Sequence, residues 1–363
     1  MLPRKESVPQ VKTASSVPAI KPFPNCPALD GCHCVTASLA KIYRHSGHPL
    51  SEEMLLGLGA GMGFIYWQMK IGGNVSVFVG GRGNGKNFYP DLGDRTGVVI
   101  KEICTSSSKK AETELLGELA LERPVMLGGD MAYLPWFDFP KDYHFGGHTF
   151  VICGYDGACT LLASDIDPKM SGVKRGIYAT VTLDQLAKAR SSPFKPFPPK
   201  NLRLAFDFVR FRNPGPKEIA AAITQTVEAL THPPIKNFGL SGLRHTAAML
   251  PHWPQLFKNE HDLRMNLFNL YIMIEIGGTG GGCFRPMFAR FLKQAAPLCA
   301  RKTLESAARL FHESGANFTQ IADLFRDAQT SRALDEKIRL ASGLFTDAAA
   351  IEEKACQLLQ NVA

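Results

Sequence analysis

The run Gly31-Cys32-His33-Cys34-Val35-Thr36-Ala37-Ser38-Leu39 constrains this chain more than any other. It sets a cysteine after a loop marked by proline and glycine and directly before a helical pattern. Ala37, Leu39, Ala40, Ile42 and Tyr43 give that pattern an apolar face. Cys34 therefore falls in the first turn of a helix. Unpaired backbone N–H groups and the positive end of the helix dipole there favour thiolate over thiol. A thiolate nucleophile also needs a base and an orienting group. The chain offers both later: His148 in Gly146-Gly147-His148-Thr149-Phe150-Val151-Ile152, and Asp165 in Leu161-Leu162-Ala163-Ser164-Asp165. Thr149 to Cys153 and Thr160 to Ala163 read as strands joined by the turn Gly154-Tyr155-Asp156-Gly157. A hairpin brings side chains of its two strands together. Asp167, ahead of Pro168, is a rival for the orienting role. His144 is a rival base, although it precedes the strand.

With 363 residues the chain can form one large core or two domains. No stretch approaches the roughly 20 uninterrupted apolar residues of a membrane helix, so no membrane association is expected. Met1 to Val17 is polar and basic without an apolar centre. It reads as a flexible arm over 1–20, not a secretory leader. The 9 cysteines are odd in number and scattered, which points to reduced thiols in a cytoplasm. Cys26, Cys32, His33 and Cys34 invite a zinc reading, but no second Cys/His pair follows at finger spacing. Cys32 and Cys34 are also too close in sequence to suit a tetrahedral site, so no metal is expected. A net charge of +8 suits an acidic partner. The basic residues are spread out and no nucleic-acid motif appears, so an acidic carrier protein is expected and nucleic acid is not.

Along the chain, Ser51 reads as the N-cap of a second helix with Glu52 and Glu53 in its first turn. The alternating glycines of Gly57-Leu58-Gly59-Ala60-Gly61-Met62-Gly63 follow a helix and lead into strand-like Phe64 to Trp67. That context is wrong for a phosphate loop and suits a tight crossing near the site. Gly80-Gly81-Arg82-Gly83-Asn84-Gly85-Lys86 lacks the Walker ending and reads as a flexible loop. Strands are predicted over 98–104, 124–127 and 201–211, and a helix over 109–122. The segment 130–145 is aromatic and irregular, with Tyr133, Trp136, Phe137, Phe139 and Tyr143. It forms either a pocket wall beside His148 or a surface loop packing its own rings. Thr182 reads as the N-cap of a short helix, and the prolines of 191–200 as a linker. Helical periodicity then fills 218–230, 242–250, 256–276, 284–300, 304–314 and 317–328. The glycine-rich run between Glu275 and Arg285 leaves two readings open. One is a ligand loop with Arg285 free to take an anion; the other is a close helix crossing with a Glu275–Arg285 ion pair.

Cysteine on a helix start, histidine on a strand and aspartate on the next is the order of papain-like cysteine enzymes. His33-Cys34 before a helix, Leu50-Ser51-Glu52, the glycine run from Gly57 to Phe64, Gly147-His148-Thr149 and the stretch from Glu275 to Arg285 together resemble the butirosin biosynthesis protein H family. The resemblance covers nearly all of the chain beyond its first twenty residues. It implies an α+β fold: a papain-like cysteine-enzyme domain over 21–212, followed by an all-helical domain over 213–363. It also implies an acyltransferase of natural-product biosynthesis. Such an enzyme moves an acyl or aminoacyl group from the phosphopantetheine thioester of a carrier protein, or a CoA-type thioester, to a small-molecule amine. Cys34 would take the acyl group, His148 would act as base and Asp165 would orient it, with no cofactor bound to the enzyme. Papain-like peptidases place a Gln oxyanion donor several residues before the nucleophile, and 26–31 contains none. The Cys34 N–H is one candidate donor, with Asn25 or His33 as the second. The same triad can hydrolyse instead, since only water exclusion separates the outcomes. A third reading makes Cys34 a buried core cysteine of a binding protein.

Overall fold

In the computed structural model, residues 20–71, 73–138, 143–170 and 172–360 are described. The arm expected over 1–20 lies outside them apart from Ile20, and so does Phe139.

The strand that carries His148, β5 (His148–Tyr155), is buried almost along its whole length, so both of its faces need cover. Phe150 and Ile152 point into one core and Val151 and Cys153 into another, the two-residue period of a strand. It sits inside a six-stranded antiparallel sheet of order β3-β8-β4-β5-β6-β7. The other strands are β3 (Val99–Ile103), β4 (Val125–Gly129), β6 (Thr160–Ile166), β7 (Gly176–Thr182) and β8 (Arg203–Asp207). The segment after the prolines thus returns to the sheet interior as β8. Helices α4 (Ser108–Leu119) and α5 (Leu183–Ser191) cover one face through Leu115, Leu119 and Leu186. Thr182 and Gln185 close a capping box on α5.

The other face carries α1 (Cys34–His45) and the larger core. That core runs on through α2 (Glu52–Leu58), the hairpin of β1 (Met62–Ile71) and β2 (Asn74–Arg82), α3 (Phe88–Thr96) and the C-terminal helices. These are α6 (Pro216–Thr231), α7 (Gly239–Met249), α8 (Trp253–Leu256), α9 (Glu260–Tyr271), α10 (Arg285–Leu298), α11 (Thr303–Phe325) and α12 (Leu334–Leu359). A π-helical turn, Ile272–Ile276, extends α9, and a 3-10 turn, Gly282–Phe284, precedes α10. The hairpin docks into the helices: the Tyr66 N–H reaches Asn237 O at 2.9 Å, and the Val77 N–H reaches Asn266 Oδ1 at 2.9 Å. The composition change near residue 212 is therefore not a break in the core.

Three elements escaped the sequence reading, β2, β7 and α3, and Gly80-Gly81-Arg82 belong to β2. The segments 304–314 and 317–328 are one helix. Gly315 does not interrupt it, because its backbone is where Gly282 crosses; a Cβ on Gly282 would sit 2.6 Å from Gly315 O. The glycines after α2 are close-packing positions as expected. A Cβ would lie 2.3 Å from the Phe291 ring at Gly57 and 2.2 Å from Phe88 at Gly59. Among the described residues no helix is long and apolar enough to cross a membrane.

Candidate active site

Cys34 is the first residue of α1, and its side chain is half-buried. His33 is the N-cap, its Nδ1 accepting from the Thr36 N–H. The preceding loop is held from another helix. Glu52, first residue of α2, accepts the N–H groups of Cys32 and His33 and the Thr36 hydroxyl, each at 2.7 Å. Burial pushes the Glu52 carboxyl up, and those three donors work against it. The Cys34 and Val35 N–H groups lie in the first turn, where a helix offers no carbonyl four residues back.

The strand register brings the other two groups together. Val151 pairs with Ser164, so His148 and Asp165 fall diagonally on one face of β5 and β6. His148 Nε2 lies 2.7 Å from Asp165 Oδ2. Asp165 Oδ2 also accepts the Trp136 indole N–H at 2.8 Å, and Oδ1 accepts the Ile166 N–H at 2.8 Å. A carboxylate only accepts, so Nε2 carries hydrogen and Nδ1 is left for the hydrogen bond that His148 makes with Cys34. The Phe137 ring stands edge-on to His148, with centroids 5.0 Å apart.

Burial opposes charge on all three groups, yet their mutual contacts outweigh it. His148 is pushed up to about 10 by the Asp165 charge and hydrogen bond and by Cys34. The Cys34 thiol is lowered by the His148 hydrogen bond and charge and by the Thr149 N–H. The Asp165 carboxyl is lowered by His148 and by the buried Lys41 ammonium of α1. These contacts favour a thiolate–imidazolium pair backed by a carboxylate.

The remaining sequence candidates lie elsewhere. Asn25 is exposed in the turn closed by the Cys26 N–H to Phe23 O bond; its φ of 56° suits the turn and does not bring it to Cys34. The His33 side chain caps α1, and its ring meets Arg82 and Phe284. Burial and the nearby Arg82 and His148 charges keep it neutral. Tyr133 packs on the smaller core and on His144, and Tyr143 is exposed. Trp136 donates its indole N–H to Asp165 Oδ2. Arg285 is fully buried and paired with Glu352, Nε to Oε1 at 2.7 Å and Nη2 to Oε2 at 3.0 Å. It is not free for an anion, nor is it paired with Glu275. Glu275 instead accepts from the Gly282 N–H and the Thr319 hydroxyl. His144 bonds Asp130 at 2.9 Å and stacks on Phe194; Asp167 accepts the Lys169 N–H within its own turn. Cys26 pairs with Cys153, and Cys32 receives Arg290 Nη2 at 3.5 Å. The clustered cysteines thus turn to three different partners.

Other parts of the site come from segments far along the chain. The glycine-rich run lies against the loop before the nucleophile. Cβ atoms on Gly278 and Gly280 would meet Cys32 O at 3.7 Å and Cys32 Cβ at 3.0 Å. Lys174 pairs its backbone with Gly31 and donates Nζ to Ile276 O at 3.2 Å, bridging the two loops. Arg82, at the end of β2, reaches the His33 ring.

The half-buried Cys34 thiol at a helix start thus meets histidine and aspartate side chains from adjoining strands. Residues 33–165 match the family described as butirosin biosynthesis protein H, N-terminal, and this part of the chain belongs to that family. Residues 184–359 match a domain of unknown function (DUF4872). No curated protein matches the chain. Family membership marks it as a biosynthetic enzyme of the transferase kind.

Proposed function

We propose that the protein is a papain-like cysteine acyltransferase that forms an amide from a thioester and an amine. The observation that carries this reading is the line from Cys34 through His148 to Asp165 at the N-terminus of α1. The Cys34 thiolate attacks the thioester carbonyl, forming an S–C bond. Collapse of the tetrahedral adduct breaks the bond to the carrier sulfur, which leaves with the proton from His148. An amine then attacks the acyl-Cys34 carbonyl and gives its proton to His148. The C–S bond breaks, the amide departs and the thiolate–imidazolium pair is restored. The Cys34 N–H is the first oxyanion donor. Amide formation from a thioester is downhill, so the step needs no nucleotide.

The Trp136 and Phe137 rings and the glycine run against Cys32 support transfer over hydrolysis, since they limit water beside the acyl-enzyme. The basic surface suits an acidic carrier protein bearing phosphopantetheine as donor, with a small-molecule amine as acceptor. All nine cysteines are free thiols, in keeping with a cytoplasmic setting.

Intact mass after incubation with pantetheine thioesters tests the reading. The expected result is an acyl adduct that is absent in Cys34→Ala and is discharged by amines faster than by water. Amide formation persisting in Cys34→Ala would sink the proposal. Rapid discharge by water alone would make the protein a hydrolase.

A further inference from the structure

We propose that Arg82 and Lys174 form a seat for a carboxylate carried on the acyl group that Cys34 accepts; this rests on the acyltransferase reading and names its substrate class.

Arg82 places its guanidinium 3.9 Å from the centroid of the Phe88 ring. Its Nη1 lies 3.2 and 3.3 Å from the two ring nitrogens of His33. Its Nε is buried without a hydrogen-bond partner among the described residues. Lys174 is buried and gives Nζ to a neutral acceptor, the Ile276 carbonyl. Among the described residues neither cation forms an ion pair with a carboxylate. Both charges nonetheless bear on Cys34. The carboxylates that face Lys174 are engaged elsewhere: Asp165 by His148 and Trp136, and Asp167 by the Lys169 N–H with Arg175 at 3.9 Å.

A cation drawn wholly or partly out of water without a counter-anion is unfavourable. In the resting site the Cys34 thiolate supplies the negative charge. Acylation turns that sulfur into a neutral thioester and leaves both cations without it. An acyl group with its own carboxylate restores the balance at the moment the thiolate is lost. The phosphate of a pantetheine arm would not, because it lies a full arm's length from the reacting sulfur. His33 stands beside Arg82 and is held neutral, so it does not compete for the anion. Arg82 is half-exposed and can be reached from solvent.

The test compares alkylation of Cys34 by iodoacetate and by iodoacetamide in the full chain, with Cys34→Ala as the site control. The rate ratio of anionic to neutral reagent is expected to fall about tenfold in Arg82→Met, the weight of one charge-assisted hydrogen bond. It should be largely kept in Arg82→Lys. Should Arg82→Met not fold, Lys174→Met is read for the same ratio. An equal fall with both reagents would overturn the seat, because it would mean that Arg82 only positions the thiolate. In parallel, a glutaryl pantetheine thioester is expected to acylate Cys34 faster than a pentanoyl one. Equal rates would remove this inference and leave the acyltransferase reading intact. A charge-dependent alkylation ratio with no acylation by either thioester would leave an anion seat beside Cys34 but overturn both the acyltransferase reading and the acyl group as the seat's occupant.

Discussion

Arg285 and Arg82 are both arginines drawn into the protein, and they are treated in opposite ways. Arg285, at the start of α10, has Glu352 bidentate from α12, the carbonyls of Gly63 and Cys283 at 2.8 Å, and the Phe318 ring 4.5 Å away. Ser314 donates to the same carboxylate at 2.6 Å. Arg82, beside the nucleophile, has an aromatic face and a neutral histidine and no carboxylate among the described residues. A buried charge with a matched anion closes a core. One held beside a reactive thiol without its own anion is poised for a charge that arrives from outside.

Removing the anion from the closed arginine should have the largest effect. Glu352→Ala is expected to destabilise the fold by about 3–5 kcal/mol, read by denaturant unfolding, because it leaves Arg285 buried and unpaired. A loss below about 1 kcal/mol would erase the contrast.

The triad tests the same logic at the site. Asp165 raises His148 to about 10, and His148 in turn lowers the Cys34 thiol. In Asp165→Asn the pH at which iodoacetamide begins to alkylate Cys34 should therefore rise, by about one unit or more (roughly 1.4 kcal/mol). The sign for stability follows from the raised histidine. The pair stabilises fully below its ordinary 6.5, and that contribution is lost as pH climbs towards about 10. The stability difference between wild type and Asp165→Asn should shrink across that window. A constant difference would mean that His148 is not charged in the fold.

Gly280→Ala should cost about 1–2 kcal/mol, since φ there is +74° and the new Cβ meets Cys32 and Met287 at 3.0 Å. It should also slow alkylation of Cys34, because the strain falls on the loop before the nucleophile. The smallest change in stability is expected for Arg82→Met, within about 1 kcal/mol, since an unpaired charge is removed and its packing partly kept. A large destabilisation there would make Arg82 a second closed arginine.

Local sequence patterns carried some of these features and missed others for a definite reason. The first turn of α1, the hairpin of β5 and β6 and the N-cap at Thr182 depend on neighbours in the chain, and they were legible. The choice of Asp165 over Asp167 depends on strand register, and one residue's shift would turn Asp165 to the opposite face. Ser51-Glu52 reads as a cap from sequence, but the grip of Glu52 on the Cys32 and His33 N–H groups needs α2 laid against α1. Arg285 was noticed and misassigned, because its partner Glu352 is 67 residues further along the chain.

The sequence by itself determined that Cys34 opens a helix, that His148 opens a strand, that the C-terminal half is helical, and the family of the N-terminal part. Those follow from short-range periodicity, capping and the motifs' order. Only the tertiary structure decided which carboxylate meets His148, that Trp136 holds that carboxylate, that the glycine run lies against Cys32, and that Arg82 and Lys174 come near enough to feel the Cys34 charge with no ion-paired carboxylate among the described residues. Each of those rests on contacts between distant segments, where burial and charge are set by packing that no local pattern records.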